Sequence, residues 1–82
     1  MDIRVVAGLN ARRYRQVLDI SQEAVSVKIG ADRAYISAIE RGVQNLTLIR
    51  LFELAEALGV RPADLLDEDY AATALAHRDG GS

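Results

Sequence analysis

Cysteine is absent from the sequence. Its absence excludes a disulfide scaffold, a thiolate metal site and a cysteine nucleophile together. Histidine occurs once, as His77, so a zinc site would have to draw its other ligands from scattered carboxylates, and no metal is expected. Tryptophan is missing and proline occurs once, at Pro62. Long apolar runs are missing too. No stretch approaches the roughly 18 apolar residues of a membrane span, and the opening MDIRVVAGLN lacks the apolar core of a signal peptide. The chain reads as cytoplasmic, without membrane association. No nucleophile–base pair stands out, which argues against an enzyme and calls for no cofactor.

What is present is a folded composition: 82 residues, 50% apolar and 27% charged. A domain this small hides only about 60% of the surface of its unfolded chain, so its core is economical or shared with a partner. The net charge of -2 conceals a polarity along the chain. Residues 1–45 hold seven basic against five acidic residues, for +2, and residues 46–82 hold three against seven, for -4. The first part suits a phosphate surface better than the second. Polarity alone does not establish that role; a motif is required.

Thirteen alanines, many leucines and the lack of apolar–polar alternation favour helix throughout. The first helix is expected from Ile3 or Val6 to Leu18, with Ala7, Ala11, Tyr14 and Leu18 as its buried stripe. Ser21 caps the second, with Glu23 in its first turn, and Gly30 stops it after about two turns. Asp32 caps the third, which buries Ile36 and Ile39 and ends at Gly42. Thr47 caps the fourth, with Leu48, Leu51, Phe52, Ala55 and Leu58 inward and Gly59 at the stop. Pro62 opens a short fifth, where its missing N–H costs nothing, and Leu65 and Leu66 close the underside of the core. Residues 68–82 form a short, weakly helical, acidic and alanine-rich tail with its last five residues disordered, leaving 1–67 as the domain.

Two short helices joined by a few residues with glycine at the joint, here 21–29 and 32–41, make a helix-turn-helix. In that arrangement the first helix crosses the phosphate backbone and the second lies in the major groove, its N-terminal residues at base edges. The run SQEAVSVKIGADRAYISAIERG, then NLT and LAEALGV, resembles the phage-repressor class of five-helix DNA-binding domains, also called the xenobiotic-response-element family. The resemblance covers about residues 6–67. Within the class it is most like the small controller proteins of restriction–modification systems. The fold it implies is all-α, a compact five-helix repressor-like domain.

Carried over residue by residue, the resemblance makes Gln22 a phosphate clamp that buttresses the recognition helix. It puts Arg33, Ala34, Ser37 and Ala38 at base edges, and Arg41, Gln44 and Asn45 on the backbone. Arg15 and Glu40 become a structural pair. The sequence departs from the pattern at Ser26, which buries a hydroxyl where alanine is usual, at Asp19 for glycine, at Leu46 for proline and at the apolar Val27. The chemistry of the residues agrees with the base-reading role. Arginine's fork matches O6 and N7 of guanine, and alanine methyls meet thymine or permit close approach. Arg33 alternatively solvates the surface or pairs with Asp32. Tyr35 reaches a phosphate through its hydroxyl or packs on the domain.

The function expected is a sequence-specific regulator of transcription that binds double-stranded DNA as a homodimer, in the nucleoid of a bacterial or phage-type cell. One domain touches too few base pairs to be selective, and a symmetric pair doubles the information. An antitoxin or protein-interaction adaptor on the same fold is the alternative. The dimer is expected through the fourth and fifth helices, with Ile49, Phe52, Leu65 and Leu66 at the seam, Tyr70 adding apolar area, and Arg50 and Arg61 offsetting Glu53, Glu56 and Asp64 across it.

Overall fold

Local cap chemistry sets most helix starts. The Asp2 carboxylate accepts from the Arg4 N–H at 2.8 Å, Ser21 Oγ from Ala24 at 3.0 Å and Thr47 Oγ1 from Arg50 at 3.0 Å. These open α1 (Ile3–Val17), α2 (Gln22–Ile29) and α4 (Leu48–Leu58). Asp32 occupies the cap position of α3 (Arg33–Glu40) with extended backbone, but its side chain makes no capping bond, contrary to the sequence reading. Pro62 opens α5 (Pro62–Leu65), where the Arg61 N–H donates to Asp64 Oδ2 at 2.8 Å. A sixth helix, α6 (Glu68–Gly81), follows. The structure, a computed structural model, describes the backbone of residues 1–81 and the side chains of residues 1–75. The backbone of α6 is helical through Gly81. Residue 82 and the His77 side chain lie outside the described residues.

Four helices, α3 to α6, pack against α1, and α2 packs on α3 and α4. Six consecutive residues, Val6 to Ala11, are buried, which a helix achieves only when it is covered on more than one side. On one side α3 crosses so closely that a Cβ at Gly8 would collide with the Ile39 carbonyl oxygen; only glycine permits that approach. On another side α6 lays the fully buried Ala71 against Val6 and Leu9. The larger core joins Ala11, Val25, Ile29, Ile36, Ile39, Leu51, Leu54, Ala55, Leu58 and Leu65. Asn10, wholly buried, donates from Nδ2 to the carbonyls of Leu65 at 3.0 Å and Asp67 at 2.9 Å, tying α1 to the α5–α6 junction. Tyr14 stacks on Tyr70 with centroids 4.9 Å apart, and the Arg13 guanidinium lies over the Tyr70 ring. Burial, with Asp64 nearby, pushes the Tyr14 hydroxyl above its usual range.

Several expected core positions are corrected. Leu18 is the C-cap of α1 and nearly half exposed, so the stripe ends at Tyr14. Leu48 is 83% exposed and Phe52 55%, whereas Leu54 is buried. Leu48 is the first residue of α4 and overhangs the core, so the inward stripe begins one turn later at Leu51. Tyr70 is engaged with Tyr14 inside the chain.

Candidate nucleic-acid interface

The helix pair is built from short-range rules. After α2, Gly30 takes the left-handed conformation at φ 67°, and the Ala31 N–H donates back to the Ser26 carbonyl at 2.9 Å. Two residues later α3 begins. Val25 and Ile29 of α2 face Ile36 and Ile39 of α3 in the core, which fixes the pair as one unit. Ser26, 4% exposed, satisfies its hydroxyl by donating to the Glu23 carbonyl at 2.6 Å. Before the pair, Asp19 adopts φ 55°, the conformation the usual glycine would take there.

Burying Ile36 and Ile39 turns the other side of α3 outward. Arg33 and Ala34 are exposed at its N-terminal end, and Ser37 and Ala38 are half-buried one turn on. Arg41 is exposed where the helix closes. Asn45 is exposed and Gln44 half-buried in the following turn, with Gln44 Nε2 donating to the Asn45 carbonyl at 3.2 Å. Arg33 forms no salt bridge with Asp32 among the described residues. Tyr35 is half-buried against the core with the Arg50 guanidinium 5.4 Å above its ring. Arg50 also donates to the Ile29 carbonyl at 2.8 Å, so this cluster braces the end of α2 against α3 and α4.

Behind α3 lies a charged network. Glu40 accepts from Arg15 Nε at 2.7 Å and Nη2 at 3.0 Å, a fork-to-fork contact. Gln22 Nε2 adds a third bond to Glu40 Oε1 at 3.1 Å, and Arg15 Nη1 donates to the Ile20 carbonyl at 2.9 Å. The two charged side chains are 15% and 6% exposed. The Glu40 hydrogen bonds hold the Arg15 guanidinium above its already high range. The network locks α1, the start of α2 and the end of α3 together. The sequence pattern supplies Arg15 with Glu40; the attachment of Gln22 to the same carboxylate and the Ile20 carbonyl are additions.

The residues placed at the dimer seam fare unevenly. Ile49 is 71% exposed and forms an apolar patch on α4 with Leu48 and Phe52, and Leu66 is 37% exposed. Leu65 is wholly buried in its own domain, so it has no surface to offer a mate. Arg50 and Arg61 pair with Glu53 and Asp64 within the chain at 3.3 and 3.0 Å, which corrects their assignment across a seam. No cluster of metal-ligating side chains is found among the described residues, and no described helix is long and apolar enough to cross a membrane.

The helix-turn-helix family model matches residues 12–65, the stretch that holds α2, the turn, α3 and their supports. The chain belongs to the helix-turn-helix family. Its relatives in that family are regulators by name. The HTH-type transcriptional regulator y4dJ of Sinorhizobium fredii is 42% identical over 66 residues, covering 80% of this chain and 86% of its own length. The control protein C.BamHI of Bacillus amyloliquefaciens is 40% identical over 67 residues, covering 80% and 83%. The crystal structure of the restriction–modification controller protein C.AhdI from Aeromonas hydrophila superposes with a TM-score of 0.72 at 35% identity, over 76% of this chain and 94% of that one. These matches bear out the all-α repressor-like fold, with six helices where the sequence reading has five.

Proposed function

We propose that this helix-turn-helix protein is a sequence-specific regulator of transcription that binds double-stranded DNA as a homodimer on a symmetric operator, in the manner of the restriction–modification control proteins. The observation that carries the reading is the exposed N-terminal end of α3, where Arg33 and Ala34 stand side by side on a helix held rigidly by α2 and the Arg15–Glu40 pair. Such an end enters the major groove, Arg33 reading guanine and Ala34, Ser37 and Ala38 shaping the neighbouring contacts. Gln22, Tyr35, Arg41, Gln44 and Asn45 surround it as backbone contacts. Gln22 supports α3 through Glu40 and Tyr35 through the Arg50 cluster, so both combine positioning with contact. The apolar patch of Ile49 and Phe52, with Leu66, is the seam of the dimer. No cofactor and no catalytic step are involved, and the protein works in the cytoplasm on the nucleoid.

Arg33→Ala tests the assignment. It should weaken binding to the preferred duplex by about 1–3 kcal/mol and relax the preference at one base position in each half-site. Competition binding against a panel of single-base operator variants reads this directly. Equal loss on preferred and random duplexes makes Arg33 a phosphate contact, and no loss on either removes it from the interface.

A further inference from the structure

Arg12, on α1, and Arg41, at the end of α3, line one surface notch of about 210 Å³ together with Val5, Leu9, Glu40 and Gly42. Both arginines are exposed, and neither has a carboxylate within salt-bridge distance among the described residues. The one acid in the wall, Glu40, is already committed: both oxygens are held by Arg15, and Oε1 is shared with Gln22. Its charge is therefore compensated from behind, and the two guanidinium groups set the sign of the notch. Val5, Leu9 and Gly42 are the remaining lining. A Cβ at Gly42 would press to 3.0 Å against Val5, so the bare turn is what seats Arg41 beside α1. Two arginines lining one small cleft, each carrying a planar, multiply donating fork, suit the oxygens of a phosphate group. The Arg15–Glu40–Gln22 network fastens the same α1 segment to α3, so the notch moves rigidly with the recognition helix.

We propose that Arg12 and Arg41 form a phosphate-binding notch that grips a backbone phosphate of the duplex, which makes Arg12 a DNA-contacting residue contributed by α1. The proposal rests on the DNA-binding reading of α3 and deepens it. The notch delivers affinity and register, because a phosphate contact carries no base information. Arg13, its neighbour, carries the same charge but lies over Tyr70 on the α6 side of the helix, which provides an internal control.

The test is a salt titration of the full chain on its preferred duplex. Arg12→Ala should lower the slope of log affinity against log salt by about one unit, with equal weakening on preferred and random duplexes. Arg12→Lys should keep most of the slope, and Arg13→Ala should leave it close to that of the unmodified protein. An unchanged slope for Arg12→Ala overturns the notch, and so does an equal drop for Arg12→Ala and Arg13→Ala, which would mean diffuse charge rather than a site. A second arm follows the Arg12 side-chain N–H resonance while inorganic phosphate is added to DNA-free protein at constant ionic strength. Little change supports the duplex as the source of phosphate. A saturating shift at low millimolar phosphate, lost in Arg12→Gln, assigns the notch to a free anion and overturns the duplex assignment. If the unmodified protein prefers no duplex at all, the DNA-binding reading falls and takes the notch with it. If Arg33→Ala behaves as stated and Arg12→Ala is silent, only the notch falls.

Discussion

The two halves of the molecule treat their arginines differently. On α1 and α3 and at the close of α3, Arg12, Arg33 and Arg41 stand exposed without acidic partners among the described residues, while Arg4 pairs with Asp2 at the start of α1 and the largely covered Arg15 holds the helices together. In α4 and α5, Arg50 and Arg61 are neutralised by acids three residues away, Glu53 and Asp64. The net charges of +2 and -4 understate this division, because local pairs silence Arg50 and Arg61 in the acidic half, whereas the basic half keeps Arg12, Arg33 and Arg41 free beside its paired Arg4 and Arg15. Free guanidinium groups on a rigid helix pair project a field toward phosphate, and paired ones do not. The acidic half offers instead the uncovered apolar side chains of Leu48, Ile49 and Phe52. In the function proposed, one half meets a polyanion and the other an apolar surface.

The largest effect is expected where the basic half depends on a buried pair. Removing Glu40 as Glu40→Ala leaves the Arg15 guanidinium desolvated with only the Ile20 carbonyl, and also frees Gln22. The expected loss is about 3–5 kcal/mol by urea unfolding, and replacing both partners with apolar residues of similar volume should cost far less. Small, additive effects in a double-mutant cycle would show that the pair is no stronger than a surface contact.

In the acidic half the sharpest change is to association rather than folding. Ile49→Asp should shift a solution dimer toward monomer in sedimentation equilibrium while the helical circular-dichroism signal persists. The side chain is largely exposed in the single chain, so its loss removes little from the domain's own core. A variant that stays dimeric at low micromolar concentration would move the seam away from α4. The smallest effect belongs to the exposed cap of α1. Arg4 holds the Asp2 carboxyl down at about 2 from its ordinary 3.8, first through its side-chain hydrogen bond and then through its backbone N–H. A lowered carboxylate contributes stability above pH 3.8 that is lost as pH falls toward 2. An acid titration of Asp2→Ala should run parallel to that of the unmodified protein above pH 3.8 and converge with it toward pH 2. Convergence already near neutral pH would show that Asp2 is not the group responsible.

Features set by local chemistry were legible in the sequence. The Ser21 and Thr47 caps, the Gly30 stop and Pro62 at a helix start need only their neighbours, and the order of SQ, YIS and ERG carries the family. Features set by the assembled fold were not. Leu48 and Phe52 share a periodic pattern with Leu51, but only the position of α1 decides that the core begins at Leu51 and includes Leu54. Ala71 lies in an alanine-rich stretch with weak periodicity, and its small side chain is what lets α6 close on Val6 and Leu9. Asn10 is a polar residue one turn before Tyr14, and nothing in the sequence marks it as the residue that ties down the α5–α6 junction. Leu65 and Leu66 are indistinguishable in sequence, yet one is buried completely and the other is more than a third exposed. In the interface, the residues around α3 follow from the motif, whereas Arg12 emerges only when α1 is seen beside Arg41.

The central claim is that a symmetric pair of these chains reads sequence through α3. Selection of bound duplexes from a random library at a stated salt concentration tests it most directly. The account predicts an inverted repeat whose half-sites lie on one face of the duplex, about 34 Å apart or a multiple of it, with a guanine in each half-site whose enrichment disappears in Arg33→Ala. Recovery of duplexes with no common sequence would contradict it.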